Sequence, residues 1–259
     1  MSTIKTAMVM AAGYGTRMRP LTNDRSKAMV EVAGLPLIEH MLRRLETAGI
    51  ERIIVNVHAH ADHLEDYLKR RSSRFDLLIS DERDNLLETG GGIVKARPLL
   101  GGDPILICNI DAVWIEFASV IDQLTTAWDG EMMDELFLLT PSLAQKDQAK
   151  GGKILGLNSA GDFDRDAAGR INYRTEATAD YVYCGVQIFK PKLTDGFKEE
   201  KFSRKLIWNE TIKNGRAFGH VMSGFWMHVG DPVARDQAEA VIKAAQNLNH
   251  SGVVYPDRA

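Results

Sequence analysis

"TAMVMAAGYGTRM", residues 6–18, decides the fold. A short apolar run that stops at glycine has the pattern of a strand buried on both faces. The glycine-rich turn leaving its carboxyl end is where open α/β sheets receive ligands. Gly13 and Gly15 let the backbone pass close to a phosphate, with successive N–H groups pointing at its oxygens. Arg17 follows the turn directly, so its planar fork can clamp a polyphosphate. Lys27 arrives about ten residues later, just before the next apolar run, and can return to the same phosphates as a point charge. The loop is not a Walker motif, because no G-K-[ST] is present. It is not the dinucleotide fingerprint either, because Met18 stands where a third glycine is required.

Working outward, strands alternate with helices. Helical patterns cover 36–48 (opened by Pro36, closed by Gly49), 61–70, 91–100 and 115–127. Between them lie "RIIVNV" (52–57), "FDLLIS" (75–80), "PILICN" (104–109) and "ELFLLT" (135–140), all strand-like. This alternation predicts an α/β fold with a Rossmann-like, mainly parallel sheet flanked by helices. Beyond Thr140 the chain turns polar over 144–180, with short strand-like pieces "KILGL" (153–157) and "RINYR" (170–174) leading into "YVYCGVQIF" (181–189). Helices return at 203–214 and 232–247, with strands at 217–223 and 225–230 between them. No linker or repeat divides the chain. It reads as one domain, residues 1–259, with an inserted, partly antiparallel lid in the second half.

The 259 residues carry a net charge of -3. That argues against nucleic acid as a partner, since a face for phosphodiesters tips the total positive. The basic residues are local instead, which suits a small anionic ligand. Cys108 and Cys184 sit far apart in apolar stretches, as buried free thiols rather than a disulfide framework. No apolar run is long enough for a bilayer and none opens the chain as a leader, so a cytoplasmic protein is expected, with no membrane contact.

"AAGYGTRMRPLT…SKAMVEVAGLPLIEHML" resembles the signature G-x-G-T-R-(x)n-P-K of the sugar-phosphate nucleotidyltransferases. The resemblance implies a nucleotide-diphospho-sugar transferase fold, with residues 1–140 as the nucleotide half and 141–259 as the sugar-phosphate half. It implies transfer of a nucleoside monophosphate from an NTP to a sugar 1-phosphate, with release of pyrophosphate. Ala12, Gly13, Gly15, Thr16 and Arg17 would hold the nucleotide, and Arg17 and Lys27 would be catalytic. "LLETGGGIVKA" (86–96) resembles the second nucleotide loop, which assigns Glu88, Thr89 and Gly90 to the base and ribose at a helix N-terminus. "LICNIDAVW" resembles the family strand that ends in an aspartate. Asp111 is therefore expected to hold a Mg²⁺ ion on the nucleotide phosphates.

Within that family the "LETGGGI" loop and the "GDF" triplet at 161–163 resemble the N-acetylmuramate-1-phosphate uridylyltransferases and related mannose-1-phosphate guanylyltransferases. UTP with N-acetylmuramate 1-phosphate is the first expectation, and GTP with mannose 1-phosphate the alternative. Gly161, Asp162, Arg174 and Gly185 would bind the sugar phosphate. Three departures from the family pattern stand out. Ser26 replaces the proline before the lysine. His228 in "WMHVGDP" stands where a second metal carboxylate is usual, which makes it a candidate ligand and Mn²⁺ a candidate ion. Asp231 either reaches the metal or caps the helix opening at Pro232. Finally, the E-K-P sugar-phosphate segment is missing, and Arg174 is the candidate for its lysine. His58, His60 and His63 have loop and capping roles as their plain reading, and Trp114, Trp208 and Trp226 have packing roles. Two rivals are a non-catalytic nucleotide-sugar sensor and a Rossmann oxidoreductase. The second lacks both the third glycine and an acid closing its second strand.

Overall fold

A computed structural model describes residues 4–142, 155–157 and 159–247. In chain order the first part runs β1 (Thr6–Met10), β2 (Glu31–Val32), β3 (Leu35–Pro36), α1 (Leu37–Thr47), β4 (Arg52–Val57), α2 (Ala61–Arg70), β5 (Asp76–Asp81), α3 (Glu88–Leu100), β6 (Ile105–Asn109), β7 (Ala112–Glu116), α4 (Val120–Thr126) and β8 (Glu135–Pro141). Then follow β9 (Phe163–Arg165), β10 (Ile171–Tyr173), β11 (Tyr181–Phe189), α5 (Lys205–Lys213), β12 (Ala217–Val221), β13 (Gly224–His228) and α6 (Pro232–Asn247).

β1 lies inside the sheet, parallel to β4 on one side and to β6 on the other, and β5 continues in parallel beyond β4. Antiparallel β11 pairs β6, β8 pairs β11, and β12 closes that edge parallel to β8. The side chains of β1 explain its central place. Ala7 and Val9 enter a core shared with α1, α2 and α4, while Met8 enters a second core shared with α3 and α5. A strand covered by helices on both faces can be apolar throughout, as this one is. Cys108 and Cys184 are buried free thiols.

The short β9–β10 hairpin attaches to the start of β11 through Tyr181 and Phe163. This is the antiparallel insertion expected in the second half. The expected strand at 153–157 lies partly outside the described residues; Leu155 forms a single bridge with Met227.

One expected element differs. The helix read over 115–127 is confined to α4, and residues 112–116 form β7, which pairs antiparallel with β13. Period two explains the difference. Val113 and Ile115 face a small core with Met227 and Ile242, while Trp114 faces the main core. Glu116 is buried against Arg44 and accepts from Trp114 Nε1 (2.9 Å) and Val120 N (2.7 Å), which fixes α1, β7 and α4 together. The register sets His228 opposite Ala112. That pairing matters for the site below.

Candidate active site

The loop after β1 closes on itself. Gly15 adopts φ +63°, a left-handed conformation that favours glycine. A Cβ at this position would lie 2.9 Å from Lys27 Cβ, so the turn packs directly against the lysine. Thr22 Oγ1 donates to the Gly15 carbonyl at 2.8 Å and holds the loop shut. Ser26, the residue that replaces the family's proline, is buried, and its hydroxyl accepts from Ala28 N to cap the 3₁₀ turn carrying Lys27. Met18, standing where a dinucleotide fold would need glycine, is fully buried beneath β7 and β13. The sequence gap between Arg17 and Lys27 thus becomes a spatial pair of walls, with Arg17 exposed at one of them.

Asp111 follows β6 and faces Lys27. Lys27 Nζ lies 2.9 Å from Asp111 Oδ2, and His228 Nε2 lies 3.4 Å from the same oxygen. The β7–β13 pairing delivers His228 here, and Val229 N donates to the Asp111 carbonyl at 2.9 Å. Burial alone would raise the Asp111 carboxyl pKa. The Lys27 ammonium and the His228 hydrogen bond outweigh it and hold the group well below the usual carboxylate range. Asp231 does not join them: its Oδ1 accepts from Ala234 N at 2.9 Å and caps α6.

The third wall is the start of α3. Glu88, with φ +59°, and Thr89 line the cleft. Gly90 does not. Its amide and that of Gly91 donate to the Phe202 carbonyl (2.9 and 3.3 Å), and a Cβ on Gly90 would strike the Phe202 ring. The first-turn amides of α3 therefore clamp the 202–204 segment, and Arg204 N adds a bond to Thr89 Oγ1 at 3.0 Å. Between these walls lies a cleft of about 560 Å³, a volume suited to a small ligand. Ala12, Gly13, Gly15, Thr16, Arg17, Lys27, Glu88, Thr89 and Asp111 all line it.

Sequence reasoning missed the brace beneath this cleft. Buried Asn56 accepts from Ala11 N (2.7 Å) and donates to Glu82 (2.7 Å), whose other oxygen accepts from Leu87 N (3.0 Å). Glu82 is fully buried. One amide and one carboxylate thereby tie the β1 loop to the α3 loop. Neither residue belongs to a motif; the only hint was an asparagine inside an otherwise apolar strand.

A second pocket is lined by Gly161, Asp162 and Arg174, three of the four residues expected on the sugar side. Phe163, Tyr173, Tyr183, Lys205 and Trp208 complete most of the lining. Gly185 is not among them. It sits at φ +81° where β11 shifts register, packed against Asn109 and Ala112. There it accommodates the irregularity in β11, whose Tyr183 lines the second pocket. Among the histidines of "HAHADH", His58 Nδ1 bonds the Glu82 carbonyl at 2.7 Å. Among the described residues no three His, Cys, Asp or Glu side chains converge as a metal cage. Trp114 and Trp226 are core residues.

Comparison with known proteins agrees with this geometry. Residues 6–129 match the nucleotidyl transferase family model. The chain is 45% identical, over 93% of its own length and 98% of the relative's, to N-acetylmuramate alpha-1-phosphate uridylyltransferase of Caulobacter vibrioides. The like-named protein of Neisseria meningitidis serogroup B is 30% identical over 92% of this chain and 98% of that one. A crystal structure of UDP-glucose pyrophosphorylase complexed with UDP-glucose superposes with a TM-score of 0.73 at 17% identity. It covers 93% of this chain and 99% of that one, and shows the shared fold. With a signature loop, a lysine–aspartate pair in its cleft and relatives matched over nearly their whole length, the chain belongs to the nucleotidyl transferase family.

Proposed function

We propose that this protein transfers UMP from UTP to N-acetylmuramate 1-phosphate, releasing pyrophosphate. The observation that carries the reading is the Lys27–Asp111 pair, 2.9 Å apart at the floor of a glycine-walled cleft with Arg17 on its rim. The relatives' names supply the base and the sugar.

An oxygen of the sugar phosphate attacks the α-phosphorus. A new P–O bond forms, the bond to the β-phosphate's bridging oxygen breaks, and its electron pair leaves with pyrophosphate. A phosphate oxygen is already nucleophilic, so no general base is needed. The protein's work is to align two polyanions and to neutralise charge in the transition state. Gly13 and Gly15 admit the triphosphate to the backbone. Arg17 meets the leaving pyrophosphate with a bidentate fork. Lys27 lies between the α-phosphate and the incoming sugar phosphate, and Asp111 sets where its ammonium points.

Asp111 also fits a divalent cation. Both of its charged contacts use Oδ2, and a single carboxylate together with substrate phosphates is a common Mg²⁺ set. His228 stands close enough to share the ion, a donor that suits Mn²⁺ as well. When bound, the cation screens the two anions from each other. Among the described residues no helix is long and apolar enough to cross a membrane. A reaction that consumes UTP belongs in the cytoplasm.

Pyrophosphate release from UTP and N-acetylmuramate 1-phosphate, with the nucleotide-sugar identified by mass, tests the proposal. GTP with mannose 1-phosphate is the control pair. Turnover restricted to the control pair would overturn the substrate assignment. Nucleotide binding without pyrophosphate from any pair would favour the sensor.

A further inference from the structure

The cleft and the second pocket share no lining residue, yet neighbouring positions connect them. Ser203 lines the cleft, Lys205 lines the pocket, and Arg204 is buried between the two. A sugar whose 1-phosphate lies at Lys27 would pass this segment and place its far side in the second pocket.

That pocket is built for more than a neutral ring. Trp208 and Tyr183 offer flat apolar faces, and Asp162 offers a carboxylate for hydroxyl groups, with Oδ2 already accepting from Tyr183 N at 2.9 Å. These features suffice for an uncharged sugar. The pocket also holds Arg174 and Lys205, and among the described residues neither makes an ion pair. Arg174 Nη1 donates to the Gly161 carbonyl at 3.2 Å, which holds one limb of its fork against the 161 loop. Arg204 adds further positive charge, with its guanidinium over the Tyr183 and Trp208 rings (5.2 and 5.0 Å) and its Nη1 buried with no hydrogen-bond partner among the described residues. Two cations facing one carboxylate, backed by a buried third, call for an anion on the ligand. On the proposed reaction the 1-phosphate lies at Lys27 in the other cavity, so the anion here is a second one and Arg174 serves it rather than replacing the family's sugar-phosphate lysine.

We propose that Arg174 and Lys205 recognise a carboxylate on the sugar, so that a carboxylate-bearing sugar 1-phosphate is selected over its neutral counterpart. This rests on the nucleotidyl-transfer reading above. The lactyl ether of N-acetylmuramate carries such a carboxylate, and N-acetylglucosamine is the same sugar without it. Lys205 thereby becomes a specificity residue that no part of the family signature marks.

The test measures kcat/KM with UTP for N-acetylmuramate 1-phosphate and N-acetylglucosamine 1-phosphate. It compares the wild type with Lys205→Met, Arg174→Gln and Lys205→Arg. The wild type should favour the carboxylated sugar by about tenfold or more, the scale of one charge-assisted hydrogen bond. Lys205→Met and Arg174→Gln should each shrink that ratio about tenfold, through KM for the carboxylated sugar. Lys205→Arg, which keeps the charge, should retain the preference. A wild type that treats both sugars alike, or variants with an unchanged ratio, would overturn the assignment. Equilibrium binding of each sugar 1-phosphate to the same four proteins separates the two readings. A carboxylate preference in binding that Lys205→Met abolishes supports the pair even without turnover, and equal binding of both sugars sinks it.

Discussion

At the floor of the nucleotide cleft the ionic groups are held by neighbours: Lys27 by Asp111, Asp111 by His228 and, beneath them, Glu82 by Asn56, while Arg17 is exposed on the rim. In the second pocket Arg174 and Lys205 lie exposed, with no ion pair among the described residues. The difference follows from what each region is proposed to do. Charge that must stabilise a transition state is useful only if it is aimed beforehand, in a site that excludes water. Charge that sorts one ligand from another can remain solvated until the ligand arrives. Fixed groups should therefore answer substitution with large losses of rate or stability. The free ones should answer with changes of selectivity.

The largest expected effect is at Asp111. Asp111→Asn keeps the volume and removes the charge that orients Lys27 and would hold the cation. Turnover should fall about a thousandfold or more, corresponding to several kcal/mol of charge stabilisation. The melting temperature should stay close to wild type. Unchanged turnover across a Mg²⁺ titration would move the metal away from this carboxylate.

A smaller loss is expected from Asn56→Ala. The change leaves Ala11 N without its acceptor and Glu82 Oε1 without its donor, both buried, at a cost of about 3 kcal/mol. Chemical denaturation should show that loss, and KM for UTP should rise as the two loops lose their brace. Lys205→Met should change stability by less than about 0.5 kcal/mol, as an exposed substitution does. Equal destabilisation by the two variants would erase the contrast between the regions.

The smallest effects are in pH dependence, with opposite signs in the two parts of the chain. Burial depresses His40 to about 4 from an ordinary 6.5, although its ring bonds the Val32 carbonyl. The stability this group contributes is complete above 6.5 and is lost as pH falls through 4. Burial raises Glu135, behind the second pocket, to about 7 from 4.5, despite its bonds to Thr211 and Gln187. Its contribution is complete below 4.5 and is lost as pH rises through 7. Glu135→Gln should therefore raise the melting temperature, relative to wild type, by a few degrees more at pH 8 than at pH 5. A pH-independent difference would show that Glu135 does not titrate in this window.

Much of the cleft was legible because phosphate chemistry compresses into short motifs. Two glycines, Arg17 and Lys27 lie within fifteen residues, and Asp111 marks a strand end. The parallel sheet was legible because strands buried on both faces are nearly all apolar. The brace was not, because Asn56 and Glu82 meet across two strands with no local spacing to signal it. β7 was missed, and its last two residues were read into the helix over 115–127, because so short an apolar run does not declare itself a strand until its partner, more than a hundred residues later, is known. That error also hid why His228 reaches Asp111. Lys205 was invisible for a different reason: an exposed lysine opening a helix reads as a solvated charge until the fold sets it beside Arg174 and Trp208.

The central claim, that the aimed charge at Lys27 acts in the transition state, is tested most directly by Lys27→Ala, with kcat and UTP affinity measured on the same protein. The account predicts that kcat falls about 10²- to 10³-fold, the worth of one preorganised group, while the UTP Kd changes by less than about tenfold. A variant that keeps more than about a tenth of wild-type kcat, or whose loss lies wholly in UTP binding, would contradict it.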